Sequence, residues 1–299
     1  MNNRKSDWIA DIALMGSACM WGINIPVVKY AVAHVEPLVF NASRVLFSTV
    51  ALGLLAWMES RRFRQVKQEP TNWRRVLFFA SLSGLLYSLL FMFGIHRTTA
   101  SNAALLMATM PMWTAFLSMV FLQERLRRIT WIGLVITLLG TAVVILPKGQ
   151  VSLSGGHMMG NIIILGASLT WASATVVSRP LMETVGPLRL AFLSSVITTP
   201  IHWVIVLCSY DVQWGTLVDP RVAYPILYSG ILSTGLAYAT WNFGVQRLGG
   251  SHASVYQNVV TLVSVIGGWV ALQEQMLVTQ ILGGLLMVVG LLTVRKGRE

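Results

Sequence analysis

Charged residues are scarce in this chain, and their scarcity excludes a soluble protein. Asp, Glu, Lys and Arg make up only 11% of the 299 residues, whereas a soluble domain carries about 25%. Most of the surface therefore cannot face water. Cysteine is scarce as well. Cys19 and Cys208 both lie in apolar runs, which favours small packing residues over a disulfide framework.

Enzyme signatures are also missing from the sequence. It contains no G-x-S-x-G nucleophile motif, no H-E-x-x-H zinc motif and no Walker loop for ATP. Four histidines, His34, His96, His157 and His252, fall at predicted helix ends or in loops, so no ligand cluster is visible. We therefore predict that the protein is not an enzyme and has no catalytic residues, no metal site and no cofactor.

Long apolar runs take the place of charge, and hydrophobic residues account for 55% of the chain. A helix that spans a bilayer needs about 20 predominantly apolar residues. The sequence predicts an all-α membrane protein with ten transmembrane helices and no soluble domain. The predicted spans are 8–33, 37–58, 73–96, 101–123, 130–146, 158–178, 187–209, 222–247, 253–273 and 279–294.

The excess of basic residues predicts the orientation of these spans. Lys and Arg number 22 against 11 acidic residues, giving a net charge of +11. On a soluble protein this charge would suggest nucleic acid as a partner. Here 17 of the 22 fall on the side that holds both termini, 4 on the other side, and Arg44 lies within the second span. The positive-inside rule then places both termini in the cytoplasm, and nucleic acid is not needed as a partner.

The sequence also repeats itself at an offset of 150 residues. Trp21 aligns with Trp171 and Arg97 with Arg247, while the Gln-Glu pair that ends at Glu124 recurs at Glu274. We predict one five-helix repeat over 1–147, a periplasmic connection over 148–157 and a second repeat over 158–299. Because five is odd, the second repeat enters the membrane from the opposite side. Such inverted repeats are typical of transporters that work by alternating access.

Several motifs resemble those of the drug/metabolite transporter superfamily, and within it the EamA-type exporters, over nearly the whole chain. They are Trp21-Gly22, Pro37 with Arg44, Ala100-Ser101, Ala103-Ala104, Pro111, Leu122-Gln123-Glu124-Arg125-Leu126, Gly133 and Gly140. The resemblance is nearest to the YddG-type branch and implies export of aromatic and bulky apolar amino acids across the bacterial inner membrane. The second repeat departs from the pattern, with Thr261 in place of Pro111 and Ser194 in place of Arg44.

The resemblance further implies a substrate cavity among spans 1, 3, 4, 6, 8 and 9, and helical spacing indicates the inward faces. The predicted substrate-binding residues are Trp21, Asn24, Tyr87, Met107, Trp171, Tyr238, Trp241, Tyr256 and Gln257. A Trp or Tyr in a membrane helix also serves as packing or as an interfacial anchor. Trp21 and Trp171 are favoured as ligand contacts because their register is retained in both repeats.

These faces combine aromatic, small and uncharged polar side chains, which suit a small zwitterion with an apolar side chain. The predicted partners are amino-acid substrates and the lipid bilayer. The oligomeric state stays open, and a monomer is compatible with the sequence. The alternative is a drug or other metabolite carrier of the same fold, which proton coupling could drive. A carboxylate at mid-depth is missing and His202, beside Pro200, is the deep titratable group, so a facilitator is favoured over a proton antiporter.

Overall fold

The computed structural model describes residues 3–62, 72–98, 106–145, 155–272 and 278–297. Within these ranges the regular structure is helical and no residue lies in a strand. This confirms the predicted all-α class. The predicted connection at 148–157 lies largely outside the described residues, as do 101–105 and Glu274.

Where the structure describes them, the predicted spans each overlap one helix or one broken helix. The helices are α1 (Asn3–Ala31), α2 (Pro37–Arg62), α3 (Trp73–Ala80, Ser81–Leu86 and Tyr87–Arg97), α4 (Met110–Phe121), α5 (Arg128–Ile145), α6 (Gly155–Thr184), α7 (Pro187–Ser209), α8 (Pro220–Leu227, Tyr228–Leu236 and Ala237–Leu248), α9 (Gly250–Ser254 and Gln257–Leu272) and α10 (Val278–Lys296). A single turn, Trp214–Leu217, precedes α8. Helices α1, α2 and α6 are longer than predicted because polar residues continue them beyond the apolar run.

Five helices among the described residues are long and apolar enough to cross a membrane. They are Trp8–Val28, Pro37–Met58, Trp73–Phe91, Met158–Thr184 and Pro187–Ser209. Shorter apolar helices occupy Met110–Phe121, Arg128–Val143 and Ile281–Val294. Large apolar side chains on these helices are exposed, such as Leu282, Leu285 and Leu292 on α10, as expected of a surface that contacts lipid. The ten-span topology itself stays a prediction.

In the part of the chain that the structure describes, two helices change their winding along their length. Ser81–Leu86 in α3 and Tyr228–Leu236 in α8 form π-helix, in which backbone hydrogen bonds run from i to i+5. Uniform amphipathic spacing does not predict these segments. π-Helices are rare and are frequent at functional sites.

The chain clusters into two compact units, each built from two separate stretches of sequence. The first unit comprises Met1–Leu85 and Val177–Arg247, and the second comprises Leu86–Val176 and Leu248–Glu299. Each unit therefore combines helices from both halves of the chain.

In the first unit, α2 packs antiparallel against α7. Val39, near the start of α2, clusters with Val206 near the end of α7, whereas Leu52 clusters with Ala191. Between these two clusters the Thr49 and Thr199 hydroxyls are 2.7 Å apart. The two threonines are separated by 150 residues, which is the offset of the sequence repeat.

In the second unit, α5 and α10 pack so closely that glycine is required at their contact. A Cβ atom placed on Gly290 would lie 2.8 Å from the Gly133 carbonyl oxygen, and one on Gly140 would lie 2.8 Å from the Gly283 carbonyl oxygen. From Gly133 to Gly140 the residue numbers increase along α5, while those of their partners decrease from Gly290 to Gly283 along α10. The two helices therefore run antiparallel. The absence of a side chain lets the two backbones touch, as in other small-residue contacts between membrane helices.

The first turn of α8 is fixed by a charged cap. The Asp219 carboxylate accepts hydrogen bonds from the Arg221 backbone N–H at 2.9 Å and from the Arg221 guanidinium at 2.6 Å. The guanidinium and backbone bonds from Arg221 hold the pKa of Asp219 at about 2, below its usual 3.8. Pro220 follows at the first helical position, where its missing N–H costs nothing.

Candidate functional site

The first unit brings two of the predicted residues into direct contact. The rings of Trp21 on α1 and Trp241 on α8 have centroids 5.3 Å apart and are tilted by 47°. Trp241 is only 2% exposed, whereas Trp21 is half-buried. The Trp21 indole N–H donates to the Ser233 backbone carbonyl at 2.8 Å. Trp21 is therefore fixed by α8 and presents its ring rather than its N–H.

Asn24 lies one turn beyond Trp21 on α1 and is 8% exposed. Its side-chain oxygen Oδ1 accepts no hydrogen bond from any residue that the structure describes. Leaving such a group unpaired in hydrocarbon costs several kcal/mol. An acceptor in this condition favours a ligand that brings an N–H or O–H donor.

Tyr238, the fourth predicted residue in the first unit, belongs to a different set of contacts. Its ring stacks on Phe79 with centroids 6.5 Å apart, and its hydroxyl approaches the Ser83 and Ser194 side chains. Those two serine hydroxyls are 3.2 Å from each other. These contacts tie α8 to α3 and α7, so they support a packing role for Tyr238 more than a ligand contact.

The second unit contains a matching aromatic pair. Tyr87 on α3 and Trp171 on α6 have ring centroids 4.8 Å apart and a tilt of 52°. Tyr87 also stacks on Phe91, with centroids 6.1 Å apart. Trp171 is the counterpart of Trp21 at the repeat offset, so each of the two residues touches another aromatic ring in its own unit.

The three remaining predicted residues flank two helix breaks in the second unit. Met107 precedes a turn at 108–109 that leads into α4, and Tyr256 and Gln257 lie at a turn that divides α9. In both places a backbone hydrogen bond spans three residues instead of the four of an α-helix. The Thr109 N–H donates to the Leu106 carbonyl at 3.2 Å, and the Tyr256 N–H donates to the Ala253 carbonyl at 3.0 Å. Interrupted helices at corresponding places in two halves are characteristic of transporter binding sites.

Gln257, at the break in α9, resembles Asn24 in having a side-chain oxygen without a donor among the described residues. Gln257 is half-buried, and its oxygen Oε1 has no hydrogen-bond partner within the described part of the chain. Tyr256 beside it is 5% exposed. Among the described residues, each unit thus has an aromatic contact, Trp21–Trp241 or Tyr87–Trp171, and a predicted site residue, Asn24 or Gln257, whose amide oxygen lacks a donor.

Sequence reasoning missed the backbone groups that hold these side chains. Ser233 acts through its carbonyl oxygen and not its side chain, so residue type gives no signal for it. Ser168 on α6 donates to the Leu106 carbonyl at 3.3 Å beside the α4 break. The sequence signal for that break is Pro111, which stands in the first turn of α4 and favours a helix start there.

The end of α4 shows how the Leu122–Leu126 motif is built. Gln123 has a φ of 55°, in the left-handed region that helix C-termini often use, and the Glu124 N–H donates to the Ser118 carbonyl at 3.3 Å. The Ser251 hydroxyl donates to the Glu124 carboxylate at 2.8 Å. Glu124 is therefore tied to the start of α9 and has a structural role.

Among the described residues the chain is helical, and apolar spans with interrupted helices are features that membrane transporters have. Residues 8–146 and residues 158–295 each match the model of the EamA-like transporter family. The chain belongs to this family, which establishes a transporter in a membrane.

The relatives are similar along nearly their whole length. The uncharacterized transporter YoaV of Bacillus subtilis (strain 168) is 22% identical over 283 residues, covering 94% of each chain. YyaM, another uncharacterized transporter of that organism, is 26% identical over 289 residues, covering 94% of this chain and 92% of its own. Protein WALLS ARE THIN 1 of Arabidopsis thaliana is 23% identical over 338 residues, covering all of this chain and 87% of its own.

A solved crystal structure has the same fold. It is 19% identical in sequence, covers 95% of both chains and superposes with a TM-score of 0.81. At this level of identity the likeness concerns the fold alone.

Proposed function

We propose that this transporter exports neutral amino acids with aromatic or bulky apolar side chains, as the YddG-type branch does. The observation that carries the proposal is the pair of aromatic contacts. Trp21 with Trp241 and Trp171 with Tyr87 place ring surfaces in both units, and Trp21 and Trp171 are 150 residues apart in the sequence. Aromatic surfaces bind apolar side chains and also attract an ammonium group.

The unpaired amide oxygens support an amino-acid cargo. Asn24 Oδ1 and Gln257 Oε1 are acceptors without donors among the described residues, and an ammonium group offers three donors. A site built to hydrogen-bond a polar group rejects an analogue that lacks it. Amino acids are therefore expected to be carried better than their N-acetyl derivatives.

We further propose the inverted-repeat architecture, with repeats over 1–147 and 158–299. The contact of Thr49 with Thr199 supports it, because equivalent residues touch each other at a two-fold axis. The contacts of Gly133 with Gly290 and of Gly140 with Gly283 exchange with each other under the same 150-residue offset. Alternating access is the transport mechanism that such symmetry suits.

Efflux from proteoliposomes tests the proposed cargo. Vesicles with the purified protein, loaded with labelled Met, Leu, Phe or Trp, should release them in a saturable way. Trp171→Ala and Asn24→Leu should lower the rate about tenfold or more, the effect of about 1.4 kcal/mol. Trp203→Ala is the matched control, since Trp203 stacks on Trp214 outside the proposed site. Indifference to all four amino acids would favour the drug-carrier alternative.

Reporter fusions test the proposed placement in the bacterial inner membrane with both termini in the cytoplasm. A green fluorescent protein joined to the C-terminus should fluoresce, and alkaline phosphatase at the same place should be inactive. The opposite result would reverse the orientation that the 17-to-4 distribution of basic residues predicts.

A further inference from the structure

The two π segments occupy equivalent places in the two halves of the chain. Ser81–Leu86 in α3, shifted by 150 residues, falls on 231–236, which lies inside Tyr228–Leu236 of α8. A rare winding that recurs in register is a feature of the duplicated unit rather than an accident of one helix.

Each π segment accepts a hydrogen bond from a ring N–H on a neighbouring helix. The Ser233 carbonyl in α8 accepts from Trp21 Nε1 at 2.8 Å. The Gly84 carbonyl in α3 contacts His202 Nε2 at 3.0 Å. A π segment departs from the i to i+4 bonding pattern, and a side chain that bonds into the ladder at that point stabilises the departure. His202 therefore bonds to a backbone carbonyl in the π segment of α3, as Trp21 does in the π segment of α8.

The position of His202 fits this role closely. It is 3% exposed on α7, two residues after Pro200. Since a carbonyl oxygen only accepts, Nε2 must carry the proton, which fixes the tautomer of the ring. A Cβ atom on Gly84 would lie 2.7 Å from the Thr198 side chain. Glycine at this place therefore lets α7 approach closely enough for the bond to form.

The segment that His202 contacts lies where the chain leaves the first unit. That unit ends at Leu85 and the second begins at Leu86, within Ser81–Leu86. The next residue is Tyr87, whose ring meets Trp171. The π segment therefore lies directly before Tyr87 in the sequence, at the point where α3 passes from one unit to the next.

We propose that His202 is a positioning residue for transport. Its Nε2–H bond to the Gly84 carbonyl holds the π register of α3, as the Trp21 bond to Ser233 holds that of α8. His202 does not touch the substrate, so it controls the rate at which the carrier changes state and leaves substrate affinity unchanged. This inference rests on the proposed function for its transport readout only.

Three variants separate this role from simple packing. His202→Leu removes the donor and keeps a side chain of similar bulk. His202→Gln restores an N–H donor near the place of Nε2. Thr198→Val is the matched control, because Thr198 is also buried on α7 and donates within its own helix to the Ser194 carbonyl at 2.9 Å.

Efflux kinetics in proteoliposomes give the first readout. His202→Leu should lower the maximal rate about tenfold, the effect expected from one lost buried hydrogen bond, with an unchanged half-saturation concentration. His202→Gln should recover most of the rate, and Thr198→Val should retain it. A wild-type rate in His202→Leu would overturn the proposal, as would a raised half-saturation concentration or the absence of rescue by Gln.

Hydrogen–deuterium exchange gives the second readout, which does not depend on the cargo. Amides of residues 81–90 should exchange faster in His202→Leu than in wild type or His202→Gln, with other segments unchanged. Uniformly faster exchange would indicate general destabilisation and would overturn the positioning role. If wild-type protein releases no amino acid but residues 81–90 respond as expected, the proposed cargo fails and the π-segment contact stands.

Discussion

At the scale of single residues, the indole N–H of Trp21 is the most informative group in the proposed site. Because it donates to the Ser233 carbonyl, a substrate at the proposed site would meet the ring and not the donor. A polar side-chain group that is hydrogen-bonded to a backbone carbonyl holds the ring in place, and the bond avoids the free-energy cost of a buried unpaired donor. Asn24 differs, because its Oδ1 lacks a donor among the described residues, and it is the polar contact that we propose for the site.

We predict that Trp21→Phe impairs the protein more than Trp203→Phe. Phenylalanine keeps an aromatic face at position 21 but removes the donor to Ser233, and a lost hydrogen bond costs about 1 kcal/mol. The Trp203 indole N–H is buried without an acceptor in the described ranges, so the same change there removes no bond. Thermal unfolding in detergent and efflux rates measure both effects. Equal losses would show that the Ser233 bond contributes nothing.

Asp219 predicts a pH dependence of stability. Its pKa of about 2 in the folded protein lies below its usual 3.8, so folding favours the ionised carboxylate. The stabilisation is present in full above about pH 4 and is lost as the pH falls toward 2. Wild type should therefore unfold at a higher temperature than Asp219→Asn at pH 7, and this gap should close between pH 4 and 2. A gap between wild type and Asp219→Asn that stays the same from pH 7 to pH 2 would contradict this role of the Asp219 cap.

Residue-level prediction from sequence depends on side-chain type. Trp21 and Trp171 stand out because a large aromatic ring recurs at one offset, and in the structure each ring contacts another aromatic ring, while their role in binding stays a prediction. From the sequence, His202 is recognised only as a deep titratable group. Its partner is the Gly84 carbonyl, and every residue has a carbonyl, so sequence carries no mark of that contact.

At the scale of elements, the contact of α5 with α10 leads to a third prediction. A Cβ atom on Gly290 would meet the Thr137 side chain and would lie 2.7 Å from the Thr137 backbone nitrogen. Gly290→Ala should therefore lower the free energy of unfolding by about 1–3 kcal/mol, as overpacking does elsewhere. Gly140→Ala, at the equivalent position, should have a similar effect. Gly16→Ala is the control, since nothing lies within 4 Å of its Cβ position. Equal melting temperatures for all three variants would contradict the close contact.

Apolar runs were sufficient to predict where helices lie, because a helix in lipid must be apolar over its length. They were insufficient to predict winding. The i to i+5 bonding of Ser81–Leu86 requires no particular residue type, so the apolar pattern does not reveal the π segments. The turn at 255–256 in α9 likewise has no sequence signal. The start of α4 does have one, because Pro111 favours a first helical turn.

At the scale of the whole molecule, the duplication of the sequence and the compact units divide the chain differently. The repeat separates residues near 150, but each unit takes stretches from both sides of that point. The repeat is defined by similarity within the sequence, whereas the units are defined by which helices pack against one another. The contacts Thr49–Thr199 and Gly133–Gly290 reconcile the two, because each joins one half of the sequence to the other within a single unit.

We predict that efflux follows the amino-acid gradient without proton coupling. A proton-coupled carrier needs a titratable group in the membrane that exchanges its proton during the cycle. The Nε2 proton of His202 is engaged by the Gly84 carbonyl, and Asp11 lies close to the start of the apolar stretch Trp8–Val28. Efflux from proteoliposomes at fixed internal pH should therefore be the same with and without an external pH gradient, and a protonophore should leave it unchanged. A strong response to the gradient that disappears in Asp11→Asn would instead identify an antiporter with Asp11 as its proton site.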